Sequence, residues 1–179
     1  MTLITRRTLL TAIAAMGTTA ALTACSGAKI ARTTNESPVT GVSLAEAQAA
    51  ISAVRAQHGL APVDPNPLLQ RVAQEQVGLM IQSTQIAHTA VRGETFITRL
   101  RRQNYLGAAG ENLAGGSPTL SATIDGWLNS PPHRRVLLNP DYVQFGIHMA
   151  RGPSTTFNTY GTYWALIMGI RPPDWAMQA

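Results

Sequence analysis

The run from Tyr160 to Ile170, YGTYWALIMGI, constrains this chain more than any other stretch. Tyr163, Trp164, Leu166, Ile167 and Met168 leave no polar side for water, so a strand here has to be covered on both faces. Just upstream, Val143 to Ala150 alternates. Val143, Phe145, Ile147 and Met149 share one face, while Gln144, Gly146 and His148 share the other. A loop rich in Gly, Pro, Ser and Thr joins the two runs, which predicts an antiparallel hairpin. His148 falls on the face away from the aromatics and is assigned no site role.

Helix signals supply the covering layers. Ser43-Leu44-Ala45-Glu46 reads as a capping box, followed by an apolar face of Leu44, Ala47, Ile51 and Val54 that stops at Gly59. Ala61 to Pro65 reads as a turn. Asn66-Pro67 is a cap with a first-turn proline, and Leu68, Leu69, Val72, Ala73, Val77 and Met80 extend a second helix to about Ser83. Glu94 or Thr95 opens a third, with Phe96, Ile97 and Leu100 apolar and Arg99, Arg101 and Arg102 assigned to its solvated side. Ala108 to Ala114 reads as a short strand. Ser117 and Pro118 then read as the cap and first residue of a helix bearing Ile124, Trp127 and Leu128. Pro131-Pro132 ends it near Asn129. The expected fold is α+β, an α-β-α sandwich with a small antiparallel sheet between helical layers.

The ends carry a different message. Thr5-Arg6-Arg7-Thr8-Leu9-Leu10 resembles the twin-arginine export signal, and Leu9 to Leu22 suits a signal-peptide core but is too short to span a bilayer. Leu22-Thr23-Ala24-Cys25 resembles the bacterial lipobox, in which the cysteine becomes lipidated. Cys25 is the only cysteine, so an internal disulfide is excluded. The expected organisation is a signal peptide over 1–24, a lipidated cysteine and polar tether over 25–42, one domain over 43–170 and a tail over 171–179. A multiply acylated cysteine anchors a protein to a membrane face without inserting it. That places the domain in the bacterial cell envelope, on the extracytoplasmic side.

The formal net charge is +5, with 14 basic against 9 acidic residues, and Arg6 and Arg7 would leave with the signal. Arg99, Arg101 and Arg102 cluster, as do Arg134 and Arg135. No aromatic interleaving or nucleic-acid motif accompanies them, so they read as solvated faces or contacts to anionic lipid headgroups, and no nucleic-acid partner is expected.

Three ordered motifs then converge. GENLAGG at 110–116, GWLNSPPHRRVLLNP at 126–140 and the closing YWALIMG resemble the CAP superfamily of cysteine-rich secretory, antigen 5 and pathogenesis-related proteins, also called sperm-coat-protein-like domains. His88, followed by Gly93, Phe96, Arg99 and Tyr105, is similar to the upstream pattern of the bacterial branch. The resemblance covers about Ser43 to Ile170. It implies a cleft lined by two histidines and two acidic residues, to which His88, His133 and Glu111 correspond. The second acid is missing, and Asn129 and Ser130 occupy its neighbourhood. Cleft residues are therefore expected at His88, Glu111, Asn129, Ser130 and His133.

Two function classes follow. In one, the domain binds a lipid or cell-wall ligand without catalysis. In the other, it is a metal-assisted peptidase or cell-wall hydrolase, with Glu111 as general base on water held by His88 and His133. A Zn²⁺ held by His88, His133 and Glu111 with one water fits the donor types, and a hydrogen-bonded polar cluster shaping the cleft is the alternative.

Overall fold

The computed structural model describes residues 41–154 and 160–171, all within one compact unit spanning 35–179. The signal peptide, Cys25 and most of the tether lie outside the described residues, as does the tail beyond Arg171.

Local chemistry starts the helices where the sequence says it should. Ser43 and Glu46 form the reciprocal capping box of α1, Leu44–Ala56. Asn66 accepts from the backbone N–H groups of Leu68 and Leu69 at the head of α2, Pro67–Ser83. Thr95 caps α3, Phe96–Arg102, through the Thr98 N–H. That helix ends in a Schellman motif. Asn104 takes the left-handed conformation at φ 54°, the Asn104 N–H donates to Arg101, and the Tyr105 N–H reaches back to Leu100. The accompanying apolar contact is between Leu100 and Tyr105, both buried in the same core.

Four strands form one sheet in the order β1-β3-β4-β2. Strand β2 (Ala109–Gly115) and β3 (Gln144–Arg151) both run antiparallel to β4 (Thr162–Gly169). Every residue of β4 is buried, as its apolar run requires. The sheet departs from expectation at one edge. Asp64–Pro65 is not a free turn but a two-residue strand, β1, running parallel to Gln144 and Phe145. Its ladder is made by the Asp64 N–H to Val143 and the Asn66 N–H to Phe145. The partner lies far along the chain, so local pattern gives no sign of it, and the sheet is mixed rather than wholly antiparallel.

Two cores flank the sheet. Trp164, Leu166 and Met168 face Ala47, Ile51, Ile124, Trp127 and Leu137. Tyr163, Ala165 and Ile167 face Leu69, Val72, Val77, Met80 and Leu100. The second layer sits very close: a Cβ on Gly146 would lie 2.2 Å from the backbone nitrogen of Gln70, so only glycine lets α2 cross β3 here.

The two remaining helices correct two local readings. Helix α4 spans Leu120–Asn129 and is capped by Thr119, which accepts from the Ala122 N–H. Ser117 does not cap it; its carbonyl accepts from the Thr162 hydroxyl and the Trp164 indole N–H. The prolines after Asn129 end α4 and also open α5, Pro131–Leu137. Proline suits a first turn, where its missing N–H has no partner to lose. One extended residue, Ser130, at φ −101° and ψ 115°, is the whole joint, as expected before a proline.

Candidate functional site

Strand β2 pairs only with β4 and is the outer strand of the sheet. Successive side chains alternate across it, so Glu111 and Leu113 face the α2/α3 layer while Asn112 faces α4 and α5. The candidate site is built around this edge from both layers.

Glu111 is the anchor. Its side chain is only 2% exposed, and both carboxylate oxygens are taken. Oε1 lies 2.7 Å from the His88 Nδ1, and Oε2 accepts from the Arg99 guanidinium at 2.7 Å. Arg99 is completely buried. This reverses the sequence expectation that placed it on the solvated side of its helix with Arg101 and Arg102. The same guanidinium donates to the backbone carbonyls of Glu94 and His88 and stands over the Phe96 ring at 5.9 Å. A carboxylate so deeply buried requires such a partner, because an unpaired one is strongly disfavoured away from water.

His88 follows α2 in a loop, and three contacts fix it. Gln76, wholly buried on α2, donates to the Ala87 carbonyl at 2.7 Å. Arg99 holds the His88 carbonyl, and Glu111 holds the ring. With the carboxylate accepting, Nδ1 carries the proton, and the other ring nitrogen is directed away from Glu111. The side chain is 61% exposed. The hydrogen bond to Glu111 raises the His88 pKa, against the opposing effects of partial burial and Arg99.

His133 comes from the other layer, in the first turn of α5. Its backbone carbonyl accepts from the Asn112 side chain at 2.9 Å. Its ring is half-buried, and its pKa is lowered, first by burial and then by the charge of His88. The two imidazoles are thus within electrostatic reach of each other. Asn129 and Ser130 lie at the α4–α5 junction, while the hydrogen bonds of Glu111 run to His88 and Arg99.

Three positioning residues escaped the sequence reading: Gln76, Arg99 and Asn112. Each also buries one polar atom with no protein partner, namely Oε1, Nε and Oδ1. Such atoms are costly and uncommon in native structures; among the described residues the one other is Arg55 Nη2, away from this site. For Arg99 a signal existed. It follows Phe96 by three residues and precedes Leu100, which puts it on the apolar stripe rather than opposite it.

The donor set does not suit the metal expected at His88, His133 and Glu111. Neither oxygen of Glu111 is free, and turning one to a cation would strand His88 or Arg99. Among the described residues no three His, Cys, Asp or Glu side chains converge as a metal-holding group. The same burial leaves the Glu111 carboxylate, 2% exposed, turned to His88 and Arg99 and not to a substrate or water proton, which a general base has to reach.

Residues 48–168 match the family model described as the cysteine-rich secretory protein family, CAP. Among curated proteins, the uncharacterized membrane protein YlbC of Bacillus subtilis is 31% identical over 99 residues, covering 55% of this chain and 29% of that protein. The chain thus spans under a third of that relative's length. Among solved structures, an extracellular protein with an SCP domain from Bacillus anthracis superposes with a TM-score of 0.60 at 23% identity, over 71% of this chain and 40% of that one. An outer surface protein from Borrelia burgdorferi superposes with a TM-score of 0.61 at 25% identity, over 74% and 98%.

Proposed function

The chain belongs to the cysteine-rich secretory protein (CAP) family, and from that premise we propose an extracytoplasmic binding protein of the bacterial cell envelope. It is tethered through a lipid on Cys25 and takes a lipid or envelope ligand at the His88–Glu111–His133 cleft without turning it over. Relatives named as membrane, extracellular and outer surface proteins support the location. The LTAC segment ending at Cys25 supports the tether.

The observation that carries the binding reading is the locked carboxylate. Glu111 is shielded from solvent and shared between the Arg99 guanidinium and the His88 ring, so it serves to hold His88 and not to accept a proton from water. A groove of about 510 Å³ between α1 and the start of α4 adds support for a lipid ligand. Val42, Ala49, Ala50 and Leu120 line it, with Glu46 and Ser121 also contributing. It shares no residue with the His–Glu cluster. The test is mass spectrometry of the full protein purified from its native membrane. A co-purifying lipid or glycan is expected, and a clean protein that also fails to bind membrane or cell-wall extracts would end this reading.

One feature favours hydrolysis as a second reading. An imidazole with Nδ1 on a carboxylate and its other nitrogen facing solvent is the orienting half of a nucleophilic triad. In that case His88, and not Glu111, would be the base acting on water. Peptidase and cell-wall-hydrolase assays separate the readings. Turnover abolished by His88→Asn favours the hydrolase, whereas no turnover by the intact protein favours binding.

A further inference from the structure

We propose that the part of the envelope ligand seated at the cleft is a short extended peptide, which adds as a further strand to the open edge of β2. The proposal rests on the binding reading above and names the ligand's chemistry at that same site.

The register of the sheet decides which backbone groups of β2 are left over. The Ile170 N–H donates to the Ala108 carbonyl, and the Gly116 N–H donates to the Thr162 carbonyl. In an antiparallel pair such bonded positions recur at every second residue. Gly110, Asn112 and Ala114 are therefore bonded to Met168, Leu166 and Trp164. Ala109, Glu111, Leu113 and Gly115 turn their N–H and C=O groups the other way, where the sheet has ended. Among the described residues only one of these outward groups has a partner. The Leu113 carbonyl accepts from the Trp127 indole N–H at 3.0 Å, so α4 closes the edge there. From Ala109 to Glu111 the edge keeps its donors and acceptors unpaired.

This backbone is open to solvent. Glu111 as a whole is 7% exposed but its side chain only 2%, so the part that meets water is main chain. Ala109 and Gly110 are partly exposed. Proteins blunt such an edge with outward charge, proline or a bulge. Strand β2, AGENLAG, has no proline and an unbroken register. Its one charged side chain, Glu111, is turned inward to Arg99 and His88.

Two features select the occupant. Ala109 and Glu111 each offer one N–H and one C=O, at a spacing of about 7 Å. That repeat matches an extended peptide, which binds through its own main chain. The edge is also recessed between the helical layers, with Glu111 and Leu113 at 7% and 5% exposed. A second copy of the domain carries an equally recessed β2, and two recessed edges do not meet. A single thin chain reaches the edge. It then lies within one glutamate side chain of the His88 ring, which Glu111 holds at 2.7 Å.

The experiment uses the full-length protein labelled with ¹⁵N, observed by NMR, and a pool of acetylated tetrapeptide amides of mixed sequence as the probe. Saturable shifts of the Ala109 and Glu111 backbone amide signals are expected, with slower hydrogen exchange at both. The same pool with its peptide nitrogens methylated should produce neither effect. Ala109→Pro removes one outward donor and no bond to β4, a place where an edge strand tolerates proline. It should weaken binding about five- to tenfold, read at the Glu111 amide. Amide signals that stay still, or that move equally with the methylated pool, would overturn the proposal whether or not the variant folds. A folded variant that binds the pool as well as the intact protein would do the same. So would a concentration-dependent dimer that shifts these amides without peptide. Capture of a lipid or glycan that carries no peptide and leaves both amides unmoved would also overturn it, yet would leave the binding reading standing.

Discussion

Among the described residues two arginines, Arg55 and Arg99, are entirely buried, and they are used in opposite ways. Arg55, on α1, donates to the backbone carbonyls of Ala61, Leu137 and Asn139. It meets no carboxylate, and burial lowers its pKa. Its work is mechanical: it ties the end of α1 to the open carbonyls after α5, a helix end that favours a cation. Arg99 also grips carbonyls, but it adds a carboxylate, and that carboxylate holds an exposed imidazole. The same side chain makes a strut in one region and a buried counter-ion in the other. The difference lies in what β2 presents opposite it.

That contrast can be broken from either side. The largest effect is expected for Arg99→Met, which leaves Glu111 buried and without its guanidinium. Chemical denaturation should register a loss of about 3–5 kcal/mol, the usual cost of stranding one member of a buried pair. Adding Glu111→Gln should recover much of the loss, because the stranded charge goes with it. A double variant no more stable than Arg99→Met alone would mean that the pair is not the reason.

Arg55→Met should cost less, about 1–3 kcal/mol, since it removes hydrogen bonds from carbonyls but strands no charge. If it matched Arg99→Met, the distinction between strut and counter-ion would fail.

Smaller effects sharpen the comparison at the histidines. The folded pKa of His88 is raised above its unfolded value near 6.5. Its contribution to stability is therefore complete below that value and is lost as pH rises through the folded pKa. His133 has the opposite sign: its lowered folded pKa makes it oppose folding as pH falls. Stability measured against pH in His88→Asn should lose the first dependence. The same variant should raise the His133 pKa slightly, because one neighbouring positive charge is gone. An unmoved His133 would show that the two rings do not sense each other.

Much of this was legible in the chain. The capping box at Ser43, the Asn66-Pro67 helix start and the doubly covered strand at 162–169 all follow from short-range chemistry, and the structure has them. His88, Glu111 and His133 were named from the family resemblance, and hydrogen bonding and mutual charge effects bring them into one neighbourhood. What escaped depends on partners distant in sequence. Arg99 lies in FITRLRR, where three arginines look alike, and only the carboxylate on β2 selects one for burial. Ser117 looked like a cap, but the Trp164 indole and Thr162 hydroxyl claim its carbonyl and Thr119 takes the role. Asp64–Pro65 becomes a strand only because β3 lies beside it. The prolines at 131 and 132 signal a stop in the local pattern, though the same lack of an N–H that stops one helix starts the next.

The central claim is that Glu111 holds His88 in place and does not act on a ligand itself. The most direct test is the NMR titration of the His88 ring in the intact protein and in Glu111→Gln. The account predicts a pKa above the ordinary histidine value in the intact protein, falling in the variant as the carboxylate hydrogen bond is lost. Equal values in the two proteins would contradict it, and would return Glu111 to the ligand.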